Sequence, residues 1–374
     1  MKILFLSAAN SIHTVKWINA LASRGHEVYL VYNKGHEPKM DQINKNIHQH
    51  QLKYKGGVGY YLNAKELRKL KKEISPDIIN VHYASGYGTL ARKSKLCPIL
   101  LSVWGSDVYD FPNKSFVNKS ILKKNVLHAK KIASTSNCMA NELRDVLKMP
   151  KLQIGITPFG VDLEKFKGCT EEKEKKNHKI LIGTIKTLKP LYGIAELIKA
   201  VKILSENLVK DGYEEICKQL QVEIYGDGPQ KEELEKLIQE LSLENVIYLK
   251  GQIPNKDVPQ VLSQFDVFCA TSFKESFGVA VVEAMAMSLP VVVTDTDGFK
   301  EVVADGENGY IVPIGNEKAI ALKLQELIID RKKRECMGKA GRKRVEELYD
   351  WEKNVDTMEK LYEEVRVKKE QSGF

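Results

Sequence analysis

Two glutamates lie on either side of a glycine in segment 271–295, which reads TSFKESFGVAVVEAMAMSLPVVVTD. Glu283 stands in a run that is otherwise almost wholly apolar, and Pro290 divides this run into a predicted helix and a predicted strand. A helix that is apolar on all sides is buried. Because a buried carboxylate without a partner is costly, we expect Glu283 to be paired or to face a polar cleft.

The predicted helix start has the properties of a phosphate site. Gly278 lets a ligand approach the backbone closely, and free N–H groups at a helix start attract anions. Glu283 follows about 7 Å further along the helix axis. A nucleotide diphosphate bound here would place its ribose near Glu283 and its far substituent near Glu275. The alternative is that Glu283 pairs with a core lysine and that Glu275 is solvated.

Short β-rich apolar runs alternate with helical patterns, such as 14–23 and 140–147, along most of the chain. This alternation is typical of parallel, doubly wound sheets, in which ligands bind outside the carboxyl ends of the strands. We therefore predict an α/β protein with two Rossmann-like domains. The predicted strands are 3–6, 28–32, 78–82, 99–103, 132–135, 154–157, 180–184, 222–225, 246–249, 267–270, 291–294 and 310–312.

The predicted domains are separated by a polar, charged stretch without periodicity, 168–179, which we interpret as a linker. The first domain would span 1–167 and the second 180–350. A charged helical segment at about 351–374 is expected to pack back on the first domain. Two such sheets facing each other would leave a cleft between the domains, a usual place for a small-molecule site. Neither half has G-x-G-x-x-G after its first strand, which argues against a nicotinamide or flavin cofactor.

Charge is unevenly distributed. Residues 1–168 hold 27 Lys/Arg and 12 Asp/Glu, whereas residues 169–374 hold 31 and 37. The basic first half predicts a polyanionic partner. In one interpretation, helix 65–72 binds an anionic membrane; in the other, this helix is a solvated face. Nucleic acid is not expected, because no nucleic-acid-binding motif accompanies the basic residues.

The cysteines and apolar runs favour a cytoplasmic protein. The six cysteines include no C-x-x-C pair, which is typical of a reducing compartment. The longest apolar run falls short of the roughly 20 residues needed to span a bilayer. The N-terminal MKILFLSAAN imitates a short signal peptide, but a helical pattern follows at once, so we predict a first buried strand.

Several motifs in order resemble the retaining glycosyltransferases of family 4, which have the two-Rossmann GT-B fold. The E-x7-E region from Glu275 to Glu283, continued by Leu289-Pro290-Val291-Val292, carries most of the resemblance. The resemblance is strong over 178–345 and fainter in the N-terminal half. The other matching motifs are GDGP at 226–229, GQIP at 251–254, FDV at 265–267, DGENGY at 305–310, HTVKW at 13–17, RGHEV at 24–28 and WGSD at 104–107.

The resemblance implies a role for each matching donor-side residue. Glu283 would hold the ribose hydroxyls, and Glu275 would contact hydroxyls of the transferred sugar. Lys186 and Lys189 would neutralise the leaving diphosphate, which a metal ion does in other transferases, so no metal or other cofactor is expected. Backbone atoms at Ile253 and Pro254 would touch the base, and the amides of Gly278 and Val279 would bind the diphosphate. The full set of remaining donor-binding residues would be Gly226, Gly228, Ile253, Pro254, Ser276, Phe277, Gly278 and Val279.

The acceptor side departs from the family pattern. No glycine-rich turn follows the first strand, and Trp104 occupies the position at which many members carry a histidine. A tryptophan offers no lone pair and cannot act as a base. A polar contact would then have to come from Asp107, His82 or His13, of which Asp107 is the leading candidate for orienting the acceptor. The alternative for each is a structural role.

The sequence therefore predicts a retaining hexosyl- or N-acetylhexosaminyl-transferase of bacterial-type surface polysaccharide or glycoconjugate synthesis. The donor would be a UDP-sugar, with GDP-mannose as the alternative, and the acceptor a glycan or polyprenyl-linked glycan. The leaving diphosphate would take the acceptor proton during front-side displacement, so no protein nucleophile is required. Alternatives are a sugar-nucleotide epimerase or phosphorylase on the same fold and a non-catalytic sugar- or lipid-binding protein.

Overall fold

A computed structural model describes residues 1–38, 43–168 and 179–366. The chain divides into two compact units: unit 1 comprises Met1–Phe159 and the C-terminal segment from Glu352, and unit 2 comprises Gly160–Trp351. Each unit is built on a parallel sheet with helices on both faces, so the predicted α/β class is confirmed. Most of the predicted linker, 169–178, and the end of the predicted C-terminal helix, 367–374, lie outside the described residues.

The sheet of unit 1 has the strand order β3-β2-β1-β4-β5-β6-β7, with every pairing parallel. Its central strands are runs of buried aliphatic residues, as expected where helices cover both faces of a sheet. The strands are β1 (Lys2–Leu6), β2 (Glu27–Lys34), β3 (His48–Lys55), β4 (Ile78–His82), β5 (Ile99–Val103), β6 (Lys131–Ser134) and β7 (Ile154–Ile156).

Strand β3 was not predicted. It reads HQHQLKYK, and Leu52 is its one buried residue. It lies at the sheet edge beside β2, where side chains face water and the backbone pairs on one side only. An edge strand of this kind has no apolar run by which the sequence could reveal it.

The helices of unit 1 surround this sheet and supply a core of aliphatic and aromatic side chains. Before the C-terminal helix, they are α1 (Ile12–Ser23), α2 (Gly56–Leu62), α3 (Ala64–Ile74), α4 (Gly86–Lys93), α5 (Ser106–Tyr109), α6 (Phe116–His128) and α7 (Asn137–Leu147).

The sheet of unit 2 has the strand order β10-β9-β8-β11-β12-β13, also parallel. Its strands are β8 (Ile180–Ile185), β9 (Leu220–Tyr225), β10 (Ile247–Gly251), β11 (Val267–Ala270), β12 (Val291–Thr294) and β13 (Gly309–Val312). Its helices are α8 (Ile194–Lys210), α9 (Glu214–Gln219), α10 (Lys231–Glu240), α11 (Val258–Leu262), α12 (Val279–Ala286), α13 (Asp297–Val302), α14 (Glu317–Ile329) and α15 (Arg331–Leu348).

The predicted helix and strand on either side of Pro290 are α12 and β12. Helix α12 begins after Gly278, whose φ of 96° places it in the left-handed region that favours glycine. Five of its eight residues are buried, in agreement with the apolar sequence. Helix and strand are joined by a short turn ending at Pro290, so the start of α12 lies at the carboxyl edge of the sheet, where β11 ends.

The C-terminal helix, α16 (Trp351–Val365), packs on the sheet of unit 1. The amide of Asn80 on β4 donates to the hydroxyl of Tyr362 at 2.7 Å, and both side chains are fully buried. Arg24 forms an ion pair with Glu359 at 2.8 Å. In the described part of the chain, no helix combines the length and the hydropathy needed to cross a membrane.

Candidate functional site

A pocket of about 600 Å³ opens in unit 2 where β8, β9 and β10 end. Among the residues that the sequence predicted for a donor, four line it: Lys186, Gly226, Gly228 and Ile253. Gln252 and Asn255 add side-chain amides to the same wall. The location agrees with the expectation that doubly wound sheets bind ligands outside the carboxyl ends of their strands.

Two glycines let the loop after β9 approach the loop after β8. A Cβ on Gly226 would lie 1.9 Å from the carbonyl oxygen of Lys186, and its φ of 148° is strained for other residues. A Cβ on Gly228 would lie 2.3 Å from the carbonyl oxygen of Leu188. The amide of Gly226 donates to the carbonyl of Gly251 at 2.8 Å. These glycines are therefore required by backbone packing, and both contribute backbone to the wall of the pocket.

Lys186 and Glu275 form an ion pair at the edge of this pocket. Nζ of Lys186 donates to Oε2 of Glu275 at 2.6 Å, and the same Nζ lies 4.4 Å from the centroid of the Tyr192 ring. The other carboxylate oxygen of Glu275 accepts from the amide of Ser276 at 3.1 Å. The side chains are 24% and 13% exposed, so both charges are partly withdrawn from water, and Lys186 lines the pocket. Sequence reasoning missed Tyr192, because an aromatic residue in a turn is not a distinctive signal.

The start of α12 lies beside a smaller pocket lined by Gly278, Ala280, Lys186 and Tyr192. Glycine has no side chain with which to cap the helix, so the first amide groups of α12 are left for another partner. Lys186 and Tyr192 also line the larger pocket, which makes the two pockets neighbours. The structure therefore brings the helix start, the Lys186–Glu275 pair and the larger pocket together.

The remaining predicted donor residues differ in exposure. Glu283 is partly buried on α12, and Val279 is the first residue of that helix. Phe277 is 2% exposed and packs edge-on against Tyr349, so its side chain belongs to the core. Lys189 is exposed just before a short 3₁₀ turn.

Pro254 lies in an exposed turn after Ile253, and its carbonyl accepts from the amide of Asp257 at 2.9 Å. Among the described residues, no group of three or more His, Cys, Asp or Glu side chains is arranged to hold a metal ion.

Asp107 in unit 1 is 1% exposed and is bound by backbone amides. Its Oδ2 accepts from Ala84 at 2.8 Å, and its Oδ1 accepts from Trp104 at 3.1 Å and from Gly105 at 3.0 Å. Burial raises the pKa of Asp107 above its usual value, although these hydrogen bonds act in the opposite direction. The carboxylate joins the loops after β4 and β5, and it has almost no surface with which to touch a ligand in this conformation.

His13, His82 and Trp104 form an aromatic cluster at the carboxyl ends of β1, β4 and β5. The His82 ring lies 3.9 Å from that of Trp104, centroid to centroid, and His13 stacks on Phe159 at 4.0 Å. Burial, with a smaller contribution from His13, lowers the pKa of His82 well below its usual value. Burial and the nearby Lys16 lower the pKa of His13 to about 4. Both imidazoles are therefore neutral at pH 7.

His82 is fully buried, and neither of its ring nitrogens has a hydrogen-bond partner among the described residues. Tyr83 follows it with a φ of 69°, which is strained for a tyrosine. The Tyr83 ring lies 5.2 Å from that of Trp104, centroid to centroid. Sequence reasoning missed Tyr83, because no residue pattern signals positive φ outside glycine and asparagine. The cluster is thus neutral, with unused hydrogen-bonding capacity at its centre.

The two doubly wound units have the architecture of the GT-B class. Residues 169–344 match the family described as glycosyl transferases group 1, and residues 2–136 match the family described as glycosyl transferase 4-like. The chain therefore belongs to the group 1 glycosyltransferases with the GT-B fold, as the sequence motifs predicted, and it is a glycosyltransferase.

Two curated relatives are similar over most of their length. The chain is 25% identical over 362 residues to N-acetyl-alpha-D-glucosaminyl L-malate synthase of Bacillus anthracis, covering 92% of this chain and 91% of that one. It is 29% identical over 370 residues to the capsular polysaccharide biosynthesis glycosyltransferase CapM of Staphylococcus aureus, covering 92% of each. In fold it resembles Anabaena HepE, crystallised with UDP, with a TM-score of 0.74 at 17% identity, covering 97% of this chain and all of that one.

Proposed function

We propose that this protein is a retaining glycosyltransferase that moves a hexose or N-acetylhexosamine from a nucleotide-sugar to a glycan or polyprenyl-linked acceptor in bacterial-type surface polysaccharide or glycoconjugate synthesis. The observation that carries the proposal is the Lys186–Glu275 ion pair beside both the uncapped start of α12 and the 600 Å³ pocket. The relatives named for capsular polysaccharide and N-acetylglucosaminyl-malate synthesis support the class of product.

The donor occupies unit 2 in this proposal. The amides of Gly278 and Val279 bind the diphosphate, because a helix start offers unpaired N–H groups and a favourable dipole. Glu283 binds the ribose hydroxyls, and Glu275 binds hydroxyls of the transferred sugar. The base enters the larger pocket, whose wall includes Gly226 and Gly228, and meets backbone near Ile253 and Pro254 together with side chains such as Gln252.

We assign the base as uracil. HepE, which shares the fold, was crystallised with UDP, and this supports UDP-sugar over the alternative, GDP-mannose.

Lys186 and Lys189 supply positive charge to the leaving group. The bond between the anomeric carbon and a diphosphate oxygen breaks while the acceptor oxygen bonds to the same face of that carbon. The departing diphosphate oxygen takes the acceptor proton, and the lysines stabilise the negative charge that remains on the diphosphate. We propose that this makes a metal ion unnecessary. Because Glu275 already binds Lys186, donor binding shares the ammonium group between the carboxylate and the diphosphate.

Unit 1 binds the acceptor in this proposal. His13 and Trp104 face it, the fully buried His82 supports the Trp104 ring from behind, and Asp107 acts indirectly by holding the loops that carry Ala84 and Trp104. We propose a cytoplasmic enzyme that associates with the inner face of the plasma membrane when its acceptor is lipid-linked.

A thermal-shift panel of UDP- and GDP-sugars tests the donor assignment. A ligand at 100 times its dissociation constant stabilises the folded state by about 2.7 kcal/mol, so a matching donor raises Tm clearly. Anomeric NMR of the product then tests retention, and an inverted product would refute the mechanism. An epimerase would convert the donor without an acceptor, a phosphorylase would depend on phosphate, and a non-catalytic binding protein would release no UDP.

A further inference from the structure

Helices α2, α4 and α6 of unit 1 lie side by side, and the outer two present large apolar side chains to water. Helix α2 contacts α4, and α4 contacts α6. Phe116 and Val117 at the start of α6 are 94% and 66% exposed, and Leu62 at the end of α2 is 55% exposed. We name as the α2–α6 surface the exposed apolar residues of these two helices, Val58, Tyr61, Leu62, Phe116, Val117 and Leu127.

Helix α6 is fixed to unit 1 by its opposite face. Leu122, Asn125 and Val126 are buried there, and the Asn125 amide donates to the carbonyl of Ala84 at 2.8 Å. Arg92 of α4 donates to the Asn125 side chain at 2.7 Å. The exposed positions 116, 117, 120, 123, 124 and 127 recur at helical spacing on the face that points away. The core of unit 1 is thus complete without Phe116 or Leu127, and these side chains remain exposed.

The chain segments that carry the α2–α6 surface are basic. The segments 43–65, 78–106 and 111–141 contain 13 Lys/Arg and no Asp or Glu. Lys123 and Lys124 lie exposed on α6, and Nζ of Lys93 lies 5.8 Å from the centroid of the Tyr61 ring. Lysines therefore lie among the apolar residues of these segments, and the exposed carboxylate next to them in sequence is Asp110.

Helix α3, which covers the basic stretch 65–72, differs from this surface. Its apolar residues Ala64, Leu67 and Ile74 are buried, so its outer face is polar. Lys69 pairs with Glu73 at 3.4 Å, and Glu66 lies on the same helix. Of the two interpretations of this stretch, a solvated face fits better, and the apolar contact with a membrane has to be sought elsewhere.

We propose that the α2–α6 surface docks on an anionic lipid bilayer, with Phe116 and Val117 entering the acyl boundary while Lys123 and Lys124 contact the headgroups. Exposed aromatic and aliphatic side chains mixed with lysines are the composition that binds membrane interfaces. A nucleic acid or other soluble polyanion would use the lysines but would gain nothing from Phe116. The proposal deepens the proposed lipid-linked acceptor by naming the surface that reaches it, and binding itself needs no sugar substrate.

Flotation of the full-length protein with vesicles tests the proposal. Vesicles of phosphatidylcholine alone are compared with vesicles of equal parts phosphatidylcholine and phosphatidylglycerol. We expect binding to the anionic vesicles only, weakened at least about tenfold by the double variant Phe116→Ser/Val117→Ser and likewise by Lys123→Glu/Lys124→Glu. Added salt should weaken binding, because exposed charges are screened.

Two matched controls isolate the surface. Lys69→Glu/Lys72→Glu on α3 makes the same change in net charge, and Leu322→Ser removes a comparably exposed apolar side chain from unit 2. Both should bind like the unaltered protein. Equal binding to both vesicles, or equal loss in the α3 variant, would overturn the proposal. Two further results would overturn the proposal if the protein did not bind vesicles. One is binding to heparin that Phe116→Ser/Val117→Ser leaves unchanged, and the other is a dimer that this variant dissociates. Failure here would leave UDP release and donor-induced stabilisation intact, and these test the proposed transferase separately.

Discussion

The carboxyl ends of the strands carry opposite kinds of side chain in the two units. In unit 2, Lys186 and Glu275 form a charged pair beside an open pocket. In unit 1, His82 and Trp104 form a buried, neutral aromatic cluster, and the nearby carboxylate of Asp107 is bound by backbone amides. The same sheet architecture thus supports a site suited to a charged ligand in one unit and a site that must use shape and neutral hydrogen bonds in the other.

This difference is consistent with the chemistry proposed for each unit. A nucleotide diphosphate brings negative charge that an accessible lysine can meet directly. A glycan acceptor is neutral in its hydroxyl groups, and aromatic faces with neutral imidazoles suit it. We therefore expect substitutions that remove charge to matter most in unit 2, and substitutions of buried residues to matter most in unit 1.

The largest effect is expected for Lys186→Ala. It removes positive charge from the leaving diphosphate and leaves Glu275 without its partner, so kcat should fall by about a hundredfold to a thousandfold. The measurement is steady-state transfer at saturating donor. Lys202→Ala is the control, because Lys202 forms a partly exposed ion pair with Glu206 on α8 and should leave kcat unchanged. An unaltered kcat for Lys186→Ala would remove the proposed contrast between the units.

A second prediction concerns the backbone that shapes the larger pocket. Gly226→Ala would bring a Cβ to 1.9 Å from the Lys186 carbonyl at a φ of 148°. We expect a loss of at least about 3 kcal/mol in the free energy of unfolding, measured with guanidinium. Gly212→Ala is the matched control: its φ of 82° is also positive, but no atom lies within 4 Å, so the loss should be about 1 kcal/mol. Equal losses would show that the positive φ alone, without the contact between the two loops, accounts for the destabilisation by Gly226→Ala.

The sequence predicted much of the architecture because the buried strands of both sheets are short apolar runs. It could not predict β3, whose polar residues lie at a sheet edge. In the site, the spacing of Gly278 and Glu283 is local and could be interpreted directly. The contact between Lys186 and Glu275 joins residues 89 positions apart and leaves no periodic signal. The burial of Asp107 was also out of reach, since it depends on amides from two different loops.

Acid should destabilise the neutral cluster of unit 1. The pKa of His13 is lowered from 6.5 to about 4, so between these values the unfolded chain binds the proton and the folded chain does not. Stability is therefore undiminished above pH 6.5 and falls by roughly 2–3 kcal/mol as pH decreases towards 4. His13→Phe keeps the aromatic stack and should lose this part of the pH dependence, measured by chemical unfolding across the range.

The matched control for His13 is His48→Phe. His48 also stacks on an aromatic ring, that of Tyr29, with the same interplanar angle of 20°, but it lies exposed on the edge strand β3. Its replacement should leave the slope of stability against pH unchanged. If His13→Phe also left the slope unchanged, His13 would be solvated in solution and unit 1 would not be neutral at its strand ends.

The smallest effect is expected for His82→Leu. Both ring nitrogens of His82 are buried without a partner among the described residues, and an unsatisfied buried polar group costs about 1–3 kcal/mol. Leucine removes that cost at the expense of some packing against Phe5 and Trp104, so the free energy of unfolding should rise by about 1 kcal/mol.

Asn80 lies on the same strand as His82, is equally buried, and has both ends of its amide paired. Its Nδ2 donates to Tyr362 at 2.7 Å, and its Oδ1 accepts from Ser102 at 3.1 Å. Asn80→Leu should therefore lower the free energy of unfolding by about 2 kcal/mol, because it leaves the buried hydroxyl groups of Tyr362 and Ser102 without their hydrogen-bond partner. Opposite signs for these two polar-to-leucine changes on one strand would show that the His82 ring nitrogens are unpaired in solution, whereas the Asn80 amide is paired. A loss of stability in both would mean that His82 is paired in solution.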